Sequence, residues 1–294
     1  MPISIALLVG TSIAWASGYL FIREVDSALP PVASAAFMAA VASVVMIAAV
    51  LISRRPLLQP LRTRAWLPLV MAFSAVAIPN ISVIQAELTI QAELAAVLGT
   101  TVPILTFLLT TFVTRQTAFS AVRLLGVVIA VTGLIVFVGW QNLLKNDIEV
   151  IGMVTMMSGG AVFAVNGIAL GSLSDEIDKY ALAAWTMVFA AIALQGFSFF
   201  MEGAPSWPKP DILMSLIGEG AIGMGLAYLG YFALVARAGA DFGSLYAFLV
   251  PPFGVIAAII VFGRELTLAH VVGVAIVLFG LMLIVRRTAK PAPR

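Results

Sequence analysis

Leu98-Gly99-Thr100-Thr101-Val102-Pro103, an apolar run to Arg115, and then Gly126 and Gly133 form the stretch on which the reading of this chain turns, because it returns. The second copy reads Ala247-Phe248-Leu249-Val250-Pro251-Pro252, an apolar run to Arg264, then Gly273 and Gly280. Twelve residues separate proline from arginine in both copies, seven separate the two glycines, and a two-residue gap reconciles the interval between them. Apolar helices resemble one another by composition, but apolar bias does not hold a proline, an arginine and two glycines in register. The stretches Leu94 to Val138 and Gly243 to Val285 therefore read as two copies of one repeat.

Outward from that pair, the whole chain is apolar. Of 294 residues, 62% are hydrophobic and 10% charged, with a mean hydropathy of +1.11. A soluble domain carries about 25% charged residues, so this composition specifies an integral membrane protein. Cysteine is absent and His270 is the single histidine, which excludes disulfides, thiolate chemistry and histidine-based metal clusters. No cofactor is expected. The formal charge of +2 comes from short loops and a tail, and does not point to nucleic acid. The apolar run from Ile3 to Ile22 lacks a basic leader and is long enough to span, so it reads as a retained first helix.

A spanning helix needs about 20 apolar residues. Ten windows qualify, at 3–22, 30–52, 65–86, 89–113, 120–139, 150–172, 180–201, 212–236, 241–263 and 267–286. With both termini inside, twelve of the sixteen Lys and Arg fall on the inner side, and only Arg23, Lys145, Lys209 and Arg264 on the outer. That asymmetry favours cytoplasmic termini. The repeat now acquires a meaning: its copies fall on helices four–five and nine–ten, so each half holds five helices, residues 1–142 and 143–294. An odd number inverts the second half, placing Arg115 inside and Arg264 outside. The fold expected is all-α and integral to the membrane, with ten transmembrane helices in two inverted five-helix repeats. Such repeats place a binding site near the midplane between halves.

At these residues the sequence resembles the drug/metabolite transporter superfamily, in particular its EamA-type ten-helix members. Phe262-Gly263-Arg264-Glu265-Leu266, followed by Gly273 and Gly280, resembles the family's Gly-Glu turn and Gly-rich last helix, whereas the first copy carries Gln116 where an acid is common. Gly10, Trp15, Gly18 and Leu29-Pro30-Pro31 also fit. The arginine that the family often carries after that proline pair is missing from Ser34-Ala35-Ala36-Phe37-Met38-Ala39, so its role does not carry over. The resemblance implies a small-molecule transporter, commonly an exporter of amino acids or related metabolites. The bacterial plasma membrane is the expected location. A branch exporting aromatic amino acids is chosen on the uncharged, aromatic-bearing helices, not on a motif.

Candidate site residues follow from what the bilayer tolerates. A proline inside a helix leaves the carbonyl four residues earlier without its partner, and lipid-facing backbone cannot stay so. Pro79, Pro103, Pro251 and Pro252 are read near mid-helix, as hinges around a central cavity or as static kinks, and the matched positions of Pro103 and Pro252 favour the hinge. Trp15, Asn80, Asn166, Tyr228 and Tyr246 are the substrate-contact candidates, with Ser12, Tyr19, Gln85, Phe163, Trp185 and Tyr231 noted beside them. Tyr19 and Trp185 fit interface positions, and inter-helix hydrogen bonding is an equal reading for the two asparagines. Glu219 is the one acid at depth, roughly 10 Å into helix eight at about 1.5 Å per residue. It is either a proton carrier or an acid hydrated at the outer interface, and the second is preferred. Glu87 and Glu93 lie at an outer turn, and Arg237 with Asp241 reads as a local ion pair. The paired glycines suit tight packing, or a dimer seam.

The pocket so drawn carries no formal charge and is expected to suit a zwitterionic or neutral partner, with membrane lipid around it. No nucleotide-binding loop is present. The reading is a secondary transporter of alternating access and not an enzyme. A passive channel is the alternative, and an intramembrane enzyme the more remote one, since a catalytic constellation is lacking.

Overall fold

The computed structural model describes residues 2–25, 29–90, 95, 97–139, 150–174, 176–203, 208–262 and 267–288, and every regular element among them is helical. Arg264 and its turn, Glu93, Lys145, Trp207 and the connection over 142–149 lie outside the described residues. So do the side chains of Tyr19, Arg23 and Glu87. In chain order the helices are α1 (Pro2–Val25), α2 (Pro31–Ile52), α3 (Trp66–Met71 running through Ala72–Ala77 into Ile78–Glu87) and α4 (Thr101–Leu108 continued by Leu109–Val113). Next come α5 (Ala121–Val138), α6 (Val150–Gly171) and α7 (Lys179–Glu202). The last are α8 (Pro210–Gly218, Glu219–Leu226 and Ala227–Gly243), α9 (Tyr246–Phe262) and α10 (Leu268–Thr288). A short helix, Gln59–Arg64, precedes α3. Among the described residues seven helices are long and apolar enough to cross a membrane, and three shorter apolar helices accompany them, in α1, α4 and α9.

Three departures from the expected windows have local causes. The window 89–113 is not one helix: the chain turns at Gly99–Thr100 before α4 begins. Pro103 consequently sits in the first turn of α4 rather than at mid-helix, where its missing N–H removes nothing. The end of α8 is broken at Gly239, whose φ of 84° belongs to the left-handed region that glycine enters freely. Finally, Ala72–Ala77, Leu109–Val113 and Glu219–Leu226 wind as π-type turns, in which each bond closes five residues on instead of four.

Helix pairing respects the two halves. α1 packs along α9 as α6 packs along α4, α1 meets α8 as α6 meets α3, and α2 meets α8 as α7 meets α3. Each contact becomes the other when every helix is exchanged for the one five places away. Two pairs, α5 with α10 and α2 with α7, are their own counterparts, and both pack extensively.

The α5–α10 seam is built by the repeat glycines. A Cβ on Gly126 would lie 2.8 Å from the Gly280 carbonyl, and one on Gly280 would lie 2.6 Å from the Gly126 carbonyl. Gly133 and Gly273 complete the seam against Val277 and Phe137. Small residues thus let the two backbones touch, as in small-xxx-small packing, and here the seam is internal to one chain.

The α2–α7 pair is fastened at both ends. Pro31 opens α2, and the next two amides, of Val32 and Ala33, donate to the Glu202 carboxylate at 2.9 and 2.8 Å. A carboxylate there answers both the orphan N–H groups and the positive end of the helix dipole. At the other end Asp178 caps α7 through the amides of Tyr180 and Ala181. It also pairs with Arg55 at 3.0 Å, whose guanidinium lies over the Tyr180 ring. Near the start of α7 the Trp185 indole N–H donates to the Leu57 carbonyl at 2.9 Å.

The expected Arg237–Asp241 pair does not form. Asp241 is buried and receives the guanidinium of Arg123 and the hydroxyl of Thr110, while Arg237 is exposed. Local spacing suggested the wrong partner because the true one lies on α5, in the other half of the chain.

Candidate functional site

Where the halves meet at mid-bundle, five aromatic rings form one cluster. Trp15 on α1 stacks on Tyr246 of α9, with centroids 4.1 Å apart and 28° between planes. Tyr228 and Tyr231 of α8 approach Trp15 at 5.3 and 5.8 Å, and Phe163 of α6 lies 4.9 Å from Tyr231. Offset and edge contacts of this kind are what ring quadrupoles prefer. The cluster obeys the repeat: Phe163 follows Trp15 by 148 residues, and Tyr228 follows Asn80 by the same 148.

Asn80 and Tyr228 touch each other. The Asn80 Nδ2 donates to the Val76 carbonyl at 2.8 Å and lies 3.4 Å from the Tyr228 hydroxyl, which itself donates to the Ala75 carbonyl at 3.0 Å. Pro79 contributes to this: it has no N–H, so where the wide turns of Ala72–Ala77 give way to the regular helix the carbonyls before it are one donor short, and a hydroxyl from the other half serves that of Ala75.

Above the rings lies a cavity of about 340 Å³, near the lower end for small-molecule sites (~300–1,000 Å³). Trp15, Asn80, Phe163, Tyr228 and Tyr246 line it, with Pro79, Pro251, Gly99, Ala247 and three methionines, Met38, Met156 and Met224. Methionine walls adapt their shape to the occupant.

Glu219 lines the same cavity and is 8% exposed. The preference for a hydrated acid at the interface is therefore corrected, and the π-type turns explain why. Glu219 precedes Tyr228 by nine residues, about two and a half turns of a regular helix at 3.6 residues per turn. That phase would point the two side chains to opposite faces. The wide turns of Glu219–Leu226 shift the phase, so that Glu219, Gly223, Met224 and Tyr228 face one space. The expectation of an uncharged pocket falls with it, because the described lining includes this acid.

Of the five proposed contact residues, the cavity thus gathers Trp15, Asn80, Tyr228 and Tyr246. Asn166 is buried beneath it, where its Oδ1 accepts from Ser74 Oγ at 3.0 Å. Pro79 and Pro251 line the cavity, whereas Pro103 and Pro252 are buried outside its lining. Phe163 and Tyr231 were noted without a role. The 148-residue register that places Phe163 opposite Trp15 was the available signal.

Below the rings, Arg123, Asp241 and Thr110 form a second, buried polar cluster. It ties α5 and α4 of the first half to the α8–α9 turn of the second. The Arg123 guanidinium also lies 5.0 Å from the Phe107 ring.

No curated protein matches the sequence. A crystal structure of a protein 17% identical, covering 98% of this chain and 99% of its own, superposes with a TM-score of 0.81. It shares the fold. The model of the EamA-like transporter family matches twice, over residues 2–139 and 150–286, one match for each half of the chain. With both repeats matched and many apolar helices to carry them across a bilayer, the chain is a multi-pass membrane protein and belongs to the EamA-like transporter family.

Proposed function

We propose that the chain is a secondary transporter of the bacterial plasma membrane. Its ten helices span as two inverted five-helix repeats with cytoplasmic termini, and it exports small metabolites by alternating access. The substrates are amino acids or related amines with an aromatic or otherwise apolar body. The observation that carries this reading is a cavity about 340 Å³ in volume, shared by both halves. Most of its lining comes from the second half of α3, the start of α4 and the first halves of α2, α6 and α8, which under alternating chain direction lie towards one end of the bundle, while Trp15 and the start of α9, from Tyr246 to Pro251, border it from the other. The other end is sealed by the ring cluster and by the Arg123–Asp241–Thr110 cluster.

That asymmetry suits a carrier at rest with its outer side accessible. Opening inwards would part α4 and α5 from the α8–α9 turn, with Pro79 and Pro251 as the flexible points. Glu219, the acid of the cavity, serves as the site where a coupling proton and a substrate compete.

Counterflow separates this from a channel. Proteoliposomes loaded with an unlabelled amino acid or amine should transiently accumulate the labelled compound above its external concentration. Simple equilibration without overshoot would mean a passive pore.

A further inference from the structure

We propose that Gly160 sets the size of substrate that the cavity admits: by withholding a side chain from the wall of α6, it lets in aromatic and branched bodies that a larger residue there would refuse. The proposal rests on the reading of the cavity as the substrate site. Three observations carry it.

The first is position. Met156, Gly160 and Phe163 all line the cavity, and their spacing of four and then three residues puts them on one face of α6. Gly160 is thus a notch between two large side chains, about one turn from the Phe163 ring. Across the notch stand Val102 and Thr101 of α4. A Cβ on Gly160 would lie 3.4 Å from Val102 Cγ2 and 3.7 Å from Thr101 Cβ, and Val102 lines the cavity as well.

The second is the contrast with the residue before it. Glycine inside a helix costs stability relative to alanine, so its presence asks for a local reason. At Gly159 that reason is packing, since a Cβ there would lie 2.5 Å from the Ser82 Cβ on α3. At Gly160 the nearest atom of another helix stands at ordinary van der Waals distance. Helix packing therefore does not require this glycine, and what it leaves open is the cavity.

The third is the repeat. The 148-residue register that carries Trp15 onto Phe163 carries Ser12 onto Gly160. Ser12 is fully buried, and its hydroxyl donates to the Leu8 carbonyl at 2.7 Å. The first half fills this position and the second leaves it open. An apolar body lying against the Phe163 ring, a contact that favours another aromatic, reaches into the notch with its edge.

The test titrates two series calorimetrically into the purified full-length protein, each growing in body at constant head group. One is alanine, leucine, phenylalanine and tryptophan; the other is ethylamine, isoamylamine, 2-phenylethylamine and tryptamine. Size is read within each series, so the charge of the head drops out. Wild-type protein should bind the phenyl and indole members of at least one series. Gly160→Val should weaken these by about tenfold or more relative to the smallest member that binds, the scale on which one misplaced methylene discriminates in an apolar pocket. Gly160→Ala should act in the same direction and by less. Val102→Ala opens the facing wall, and in the Gly160→Val background it should restore the large members, a recovery that general damage to the fold would not show.

An unchanged size ranking in both Gly160 variants overturns the proposal, as does a loss equal at every size that Val102→Ala fails to repair. Wild-type protein that binds only the smallest members overturns it too. Should Gly160→Val not fold, the ranking in Gly160→Ala decides. Counterflow of some other cargo in proteoliposomes, with no member of either series bound, overturns the size assignment and leaves the transporter reading standing. Absence of both binding and counterflow overturns the two together.

Discussion

At the scale of single residues, Tyr228 does two jobs that pull in different directions. Its ring walls the cavity, and its hydroxyl serves a backbone that Pro79 leaves one donor short, through the 3.0 Å bond to Ala75. Tyr228→Phe keeps the wall and removes the repair, leaving a buried carbonyl unpaired at a cost of about 1–3 kcal/mol. Thermal unfolding in detergent should show that loss. In a Pro79→Ala background the helix regains the missing N–H, so the same substitution should cost clearly less, and the coupling is read from the double-mutant cycle. Equal costs in both backgrounds would show that the hydroxyl acts elsewhere. The proline argument was legible in the sequence, since Pro79 must leave the carbonyls before it one donor short. The group that serves Ala75 was not, because Tyr228 lies 153 residues away from Ala75, and nothing local marks it.

Helices were legible to within a few residues where hydropathy alone decides, and illegible where phase does. The windows at 30–52, 120–139 and 150–172 agree closely with α2, α5 and α6. A hydropathy window carries no record of how many residues make a turn, so the π-type turns of α3 and α8 could not be foreseen. Glu219 was assigned to the interface on its depth along the helix, a measure that carries no phase and so could not show that the side chain faces the cavity. The glycine spacing, by contrast, was readable as a packing face, and only its partner was open. That partner is the matching pair of the other copy, across the α5–α10 seam. Gly126→Ala or Gly280→Ala puts a methyl within 2.8 Å or less of backbone oxygen, and overpacking of this order costs about 1–3 kcal/mol. Melting temperature and monodispersity in detergent should both fall, while Gly196→Ala, where nothing lies within 4 Å, should be neutral.

For the whole molecule, the repeat makes sidedness testable with reagents that cannot cross a membrane. The native chain has no cysteine, so Arg115→Cys and Lys209→Cys give single labels. The first should react only from the cytoplasmic side and the second only from the opposite side. Reaction of both from one side would remove the inverted arrangement, and with it the account of which end of the cavity is closed. The seam between α5 and α10 has a consequence for how the protein is made. Its two faces are encoded at residues 126–133 and 273–280, so the first leaves the ribosome long before the second exists. During that interval the glycine face of α5 is bare to lipid or to a membrane chaperone. The molecule can lock into its native arrangement only when the last helix arrives, and quality control that inspects unfilled glycine faces would have until then to act.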